Sequence, residues 1–148
     1  MRPIGSLLVI ALLATPLCHA TNFDAKPIDP VAISALATRA SMAPPREQCF
    51  LYAEVVHQMT ELAGRQLHAG EDASATLKAV KDYTEKIHLG MAGDTKRLKN
   101  AQILMEHTAF RLNEYLHTAA IDDRPTVEAT LKHLNEVQNE LMMQVFRH

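Results

Sequence analysis

Residues 45–70 read PREQCFLYAEVVHQMTELAGRQLHAG, and this stretch decides the fold class. Its apolar side chains recur every three or four residues, a spacing that places them on one face of an α-helix. Pro45 and Glu47 suit the first turn of a helix, and Gly70 suits the position just after the last turn. The stretch therefore predicts an amphipathic helix that begins near Pro45 and ends near Ala69.

Three further segments carry the same helical spacing. The second helix begins at Asp72 or Ser74, the third spans residues 94–120, and the fourth begins at residues 122–125 and runs to the end of the chain. The whole sequence has only five glycines and no tryptophan, and it holds no strand-like alternation of β-branched and aromatic residues. Four helices of similar length with short loops predict an all-α fold, an antiparallel four-helix up-down bundle.

The stretch Gly90-Met91-Ala92-Gly93-Asp94 leaves a second arrangement open. The apolar register continues through it, and two interior glycines cost a helix only about 1 kcal/mol each. The alternative is one long central helix over residues 72–120, about 73 Å long at 1.5 Å per residue. The first and fourth helices would then pack on its two halves, and a dimer would be needed to bury the apolar faces.

The N-terminal twenty residues have the layout of a secretory signal peptide. Arg2 supplies a positive start, Leu7–Leu13 is an unbroken apolar run, and Cys18 and Ala20 place small residues before a cut after Ala20. The apolar run is too short to span a bilayer, which needs about 20 apolar residues. The sequence therefore predicts a secreted or periplasmic protein without a membrane span after cleavage.

Three regions follow from this organisation. Residues 1–20 form the signal peptide, residues 21–45 form a leader punctuated by prolines, and residues 46–148 form the helical bundle domain. The leader has room for a short helix over Val31–Ser41, whose small apolar side chains predict a loosely held segment.

The charge of the chain argues against a nucleic acid partner, and its cysteine content argues against an internal disulfide. The chain has 15 basic and 17 acidic residues, and loss of Arg2 with the signal peptide makes it one charge more negative. Such a chain has no electrostatic footprint for nucleic acid. Cleavage also leaves Cys49 as the one cysteine, so no internal disulfide can form. Cys49 is interpreted as a small core residue, with an intermolecular disulfide as the alternative.

The most suggestive chemical pattern is Glu-x-x-His, which occurs at Glu54–His57, Glu85–His88 and Glu114–His117. Di-iron carboxylate bundles use two such pairs directed into the core. Helical angles direct the first and third pairs away from the apolar stripe, so we predict no metal site. His88 alone lies within a stripe, which suggests a core histidine or a pH-sensitive packing residue.

Two short motifs combine imidazole and thioether groups, which suit copper. They are His57-Gln58-Met59 and Met105-Glu106-His107. Residues two apart on a helix point in different directions, and both methionines also fit the core stripe, so we interpret them as core filling. No nucleophile motif, phosphate loop, zinc-protease motif or haem-attachment motif occurs, and the sequence predicts no catalytic, cofactor-binding or metal-binding residue.

The end of the fourth helix suggests an interaction surface. Five of the six residues of Leu141–Phe146 are apolar, more than one helix face can bury alone. We expect a protein partner, a second copy or residues 21–42 to cover Leu141, Met142, Val145 and Phe146. The sequence thus favours a non-enzymatic binding protein, with a metal- or haem-binding bundle as the alternative.

Overall fold

The computed structural model describes residues 28–90 and 95–147, and this part of the chain is helical with no strand. The elements are α1 (Pro30–Met42), α2 (Pro45–Ala69), α3 (Ser74–Lys86), a 3₁₀ turn (Ile87–Gly90), α4 (Thr95–Thr118) and α5 (Arg124–Phe146). The predicted all-α class is confirmed. The signal peptide and the first part of the leader lie outside the described residues.

Local chemistry sets the helix ends. The Asp29 carboxylate caps α1 by accepting a hydrogen bond from the Val31 amide at 2.9 Å. Gly70 ends α2 with a left-handed φ of 70°, and its amide donates to carbonyls of the last turn. The Asp72 carboxylate accepts from the Ser74 amide at 2.9 Å, at the start of α3. The predicted end of the first helix at Gly70 and the predicted start of the next helix at Asp72 or Ser74 therefore agree with the structure.

The packing order differs from the simplest up-down bundle. Helix α2 packs against α4, α4 against α5, α5 against α3, and α3 against α2. Phe50 of α2 lies beside Arg97 of α4, and Gly64 lies beside Tyr115, so α2 and α4 run in the same direction. A bundle with only antiparallel neighbours would not contain this pair.

Helices α3 and α5 also run in the same direction. Glu85 lies near His133. His88 lies three residues after Glu85, and it contacts Glu140, which lies seven residues after His133.

Helices α2 and α3 pack side by side. The tyrosine rings of Tyr52 on α2 and Tyr83 on α3 stack with centroids 6.3 Å apart. Because the connection between α2 and α3 is short, these two helices are antiparallel.

The alternative of one helix over residues 72–120 is wrong. The α-helix ends at Lys86 and continues as a 3₁₀ turn through Gly90, and a separate helix begins at Thr95. Helix α2 runs antiparallel to α3 and parallel to α4, so α3 and α4 run in opposite directions and cannot belong to one straight helix. The apolar faces of α3 and α4 are buried within one chain, which removes the need for a dimer to cover them. No helix among the described residues has the length and apolar character needed to cross a membrane.

Helix α2 is the centre of the core because it contacts α1, α3 and α4. It buries Leu51 and Val55 as well as Cys49, Val56 and Ala63. In each of the remaining helices the buried residues recur every three, four or seven positions and form one core stripe: Leu77, Val80, Thr84 and Ile87; Leu98, Ala101, Met105, Thr108, Leu112 and Ala119; and Val127, Leu134, Val137 and Leu141.

The leader helix α1 is packed rather than loosely held. Ile33 is 3% exposed, and Ala37 and Ala40 are buried with it against α2. Val31, which begins the predicted short helix, is 75% exposed. The small alanines that suggested weak packing instead let α1 approach α2 closely, and this creates one wall of the groove described below.

Gly64 of α2 lies directly against the ring of Tyr115 of α4. A Cβ atom at residue 64 would overlap the Tyr115 ring carbons. The ring cannot move aside freely, because its hydroxyl donates a hydrogen bond to Glu61 at 2.7 Å. A glycine in mid-helix costs about 0.5–1 kcal/mol relative to alanine. At residue 64 this cost is offset because only glycine leaves room for the Tyr115 ring.

Substitution of Gly64 tests this contact. Gly64→Ala should lower the free energy of unfolding by about 1–3 kcal/mol, because the methyl group overpacks the interface. Denaturant titration followed by circular dichroism measures the change. In a Tyr115→Ala background the same substitution should be neutral or stabilising, since the ring is gone. Equal effects of Gly64→Ala in the two backgrounds would contradict the contact.

Candidate functional site

A groove of about 910 Å³ lies between α1, α2 and α4. Its apolar lining comes from all three helices, with Leu36 on α1, Phe50 on α2, and Ile103 and Leu104 on α4. Ile103 is 53% exposed, and Phe110, two turns further along α4, is 59% exposed. Seven residues are close to two full turns, so Ile103 and Phe110 present exposed apolar side chains on the same face of α4.

One edge of the groove carries an ion pair. Arg39 of α1 lies 3.7 Å from the Glu54 carboxylate of α2, and both side chains line the groove. Burial raises the pKa of Glu54, and the positive charges of Arg39 and Arg97 oppose this rise. The pair is largely exposed on the arginine side, so it contributes little stability. Charges of both signs therefore meet at this edge.

Two histidines meet in the same groove. His57 of α2 and His107 of α4 have ring centroids 5.4 Å apart, and both line the groove. The His57 Nδ1 atom lies 3.1 Å from the Thr108 hydroxyl. Burial lowers the pKa of His57; the Glu61 charge opposes this, while His107 and Arg111 add to it. His57 therefore favours its neutral form more than a solvated histidine does.

A polar cluster joins α2 to α4 near the groove. Arg111 binds the two Glu61 carboxylate oxygens through Nε at 2.8 Å and Nη2 at 3.1 Å. Its Nη1 donates to Glu114 at 2.6 Å, and its Nη2 also donates to the Tyr115 hydroxyl. The two-point contact between a guanidinium and a carboxylate is rigid and strong, so this cluster fixes the register of the two helices.

The cluster changes the titration of its members. Burial alone would raise the pKa of Glu61, but hydrogen bonds from Arg111 and Tyr115 outweigh it, and the pKa lies below the ordinary 4.5. Burial and the Glu61 hydrogen bond raise the pKa of Tyr115. The ionised carboxylate and the protonated phenol are thus the stable forms at neutral pH.

The predicted Glu-x-x-His pairs lie in three different places. Glu54 and His57 line the groove, the predicted outward pair Glu114 and His117 is exposed on α4, and Glu85 approaches His133 at 3.8 Å. In residues 28–90 and 95–147, no group of three or more His, Cys, Asp or Glu side chains is placed to hold a metal ion. The three pairs do not converge on one centre.

The interpretation of His88 as a core residue is wrong. His88 is exposed, and its Nδ1 atom lies 2.9 Å from the Glu140 carboxylate. The α-helix ends at Lys86, and a 3₁₀ turn advances each residue by about 120° instead of 100°, which turns residue 88 out of the stripe. Ile87 is buried in its neighbourhood instead.

Cys49 and Met105 are buried core residues. Burial raises the pKa of the Cys49 thiol to about 12, so it stays protonated. Because its sulfur is enclosed, Cys49 is not presented to a second molecule for an intermolecular disulfide. Met59 packs against the core, and neither methionine of the two histidine–methionine motifs lines the groove.

The predicted surface at the end of α5 is only partly exposed. Leu141 is fully buried and Val145 is half-buried, which removes Leu141 from any interaction surface. Met142 and Phe146 are exposed, Phe146 by 82%, together with Met143. Residues 30–42 do not fold over this surface as one alternative expected, because α1 packs against α2.

Sequence reasoning missed the groove, because its walls depend on which helices are neighbours. The signal that could have indicated it is the pair Ile103 and Phe110, which lies off the core stripe of α4. Comparison of the chain with protein-family models, curated proteins and solved structures finds no match. The groove and its histidines are therefore the basis for a functional proposal.

The Glu61 cluster yields a pH-dependent prediction. Glu61→Gln should lower the free energy of unfolding by about 1–3 kcal/mol at neutral pH, because charge-assisted hydrogen bonds are lost. The native pKa is depressed, so this contribution is fully present above pH 4.5 and is lost as the pH falls through the lower native value. The gap between wild type and variant should therefore narrow in acid.

Denaturant titrations over a pH series measure this gap. Glu114→Gln is the matched control, since Glu114 is an exposed partner of the same arginine and should contribute less. A gap for Glu61→Gln that stays constant from neutral pH into acid, or that matches the control, would contradict the assigned role.

Proposed function

We propose that this chain is a small exported, non-enzymatic protein that binds a partner protein through the groove between α1, α2 and α4. The observation that carries the proposal is the apolar lining of this groove, in which Ile103 is exposed, together with exposed Phe110 two turns further along α4. Exposed apolar surface of this kind is typical of interaction sites. The side chains that line the groove include no hydroxyl or thiol nucleophile, which supports binding over catalysis.

The partner segment is proposed to be an amphipathic helix. A groove bounded by helices, with an apolar floor and a charged edge, suits a helix that inserts its apolar face. The Arg39–Glu54 pair places a positive and a negative charge at the edge of the groove, which suits the polar face of a bound helix. These paired charges do not form the continuous positive patch that nucleic acid binding requires.

The scaffold is proposed to be a four-helix bundle of α2–α5 with α1 as an added fifth helix. Directions alternate along the chain, as in the predicted up-down bundle. Helix α2 neighbours α4, and α3 neighbours α5, so the bundle contains two pairs of parallel neighbours. The groove depends on the parallel α2–α4 pair.

Metal binding is the second candidate function. It is favoured by one observation, the approach of the His57 and His107 rings in the groove.

Export is tested by the N-terminus of the protein recovered from outside the cytoplasm. Intact-mass measurement should show a chain that begins at Thr21, because the cut is proposed after Ala20. A recovered chain that still contains Leu7–Leu13 would contradict signal cleavage.

Partner binding is tested by a photo-crosslinking amino acid at residue 103. We expect irradiation of cells to join this position to one discrete second protein, and Phe110→Ser should reduce the yield severalfold. Ile121 is the matched control, because it is an exposed isoleucine outside the groove.

An adduct at residue 103 that contains two copies of this chain would overturn the partner proposal in favour of self-association. Equal labelling from positions 103 and 121 would show that the groove is not a specific site.

A further inference from the structure

We propose that His57 and His107 form a binding site for a divalent transition metal ion such as zinc in the wall of the groove. The two residues come from different helices, 50 positions apart in the chain, and their ring centroids lie 5.4 Å apart. Imidazole nitrogen is a ligand for zinc, copper and nickel ions. This inference rests on the second candidate function and is independent of the partner protein.

The separation of the rings fits a shared metal ion. A metal bound at the Zn–N distance of about 2.0 Å lies about 3 Å from the imidazole centroid, so two such rings at a tetrahedral angle have centroids about 5 Å apart. The observed 5.4 Å is close to this value.

The hydrogen bonds of Thr108 fix the nitrogen that His57 can offer. The Thr108 hydroxyl donates its one proton to the Leu104 carbonyl at 2.7 Å. It can therefore only accept at the 3.1 Å contact with His57 Nδ1, so Nδ1 carries the proton and Nε2 keeps its lone pair. Metal-binding histidines commonly donate their other ring N–H to a fixed acceptor in this way.

The surroundings leave the histidine pair open on one side. His57 is half-buried, and its Nδ1 atom is held at the Thr108 hydroxyl. His107 is exposed beside it, which gives an ion access from solvent. Two imidazoles leave two tetrahedral positions open for water or for a donor atom of a molecule in the groove.

Zinc titration tests the site. The full purified chain, freed of metal with EDTA and dialysed, is titrated with Zn²⁺ in a calorimeter, and we expect one saturable site per chain. His57→Ala and His107→Ala should each weaken it by about tenfold or more. His117→Ala is the matched control, because His117 is an exposed histidine of the same helix α4, and it should leave the affinity unchanged.

Loss of zinc binding in both groove variants but not in the control supports the proposal. The absence of a one-to-one site, or a site that keeps its affinity in both groove variants, would overturn it. Because His107 is exposed, His107→Ala is expected to fold, and circular dichroism checks this. The crosslinking result at residue 103 does not depend on these histidines, so either proposal can fail alone.

Thr108 is proposed as a positioning residue, and its variants test that role. Thr108→Val keeps the shape and removes the hydroxyl, so zinc affinity should fall by about tenfold, and Thr108→Ser should restore it. On zinc binding, the ¹⁵N resonance of His57 that shifts most should be Nε2. Unchanged affinity in Thr108→Val, or a shift centred on Nδ1, would overturn the positioning role.

Discussion

The Tyr115 ring lies directly on Gly64, and the rest of the structure depends on this contact. It permits α2 and α4 to lie side by side in the same direction. The Arg111–Glu61 ion pair beside it fixes how far one helix is shifted along the other. One turn before this cluster on each helix, His57 reaches Thr108 and meets His107. The groove and its histidine pair are therefore consequences of one tight helix crossing.

Helix α1 supplies the wall that makes a groove beside the α2–α4 interface. Without it, the outer face of α2 around Glu54 and His57 would be an ordinary solvated surface. With Ile33 and Ala37 buried against α2, α1 supplies a second wall, and the space between the walls stays open. A stable core and an open apolar groove thus share helix α2, which explains how a small chain without a disulfide among its described residues can hold a preformed site.

Helix ends and core stripes could be predicted because they depend on local chemistry. Gly70 ends α2 by its left-handed conformation, and Leu77, Leu98 and Leu134 are buried as their spacing indicates. Helix neighbours could not be predicted, since periodicity shows which face is buried and not which helix covers it. His57 lies about 100° from the core direction of Val56, as the helical angle predicts, but α1 covers that side.

The parallel contact between α2 and α4 is the central claim, and proton NMR of the folded protein measures it most directly. The Tyr115 ring should show nuclear Overhauser effects to the Gly64 α-protons, and the ring current should shift those protons strongly from their usual position. Gly64 α-protons at ordinary helical shifts, with no Overhauser effect from Tyr115, would contradict the parallel pair and the groove built on it.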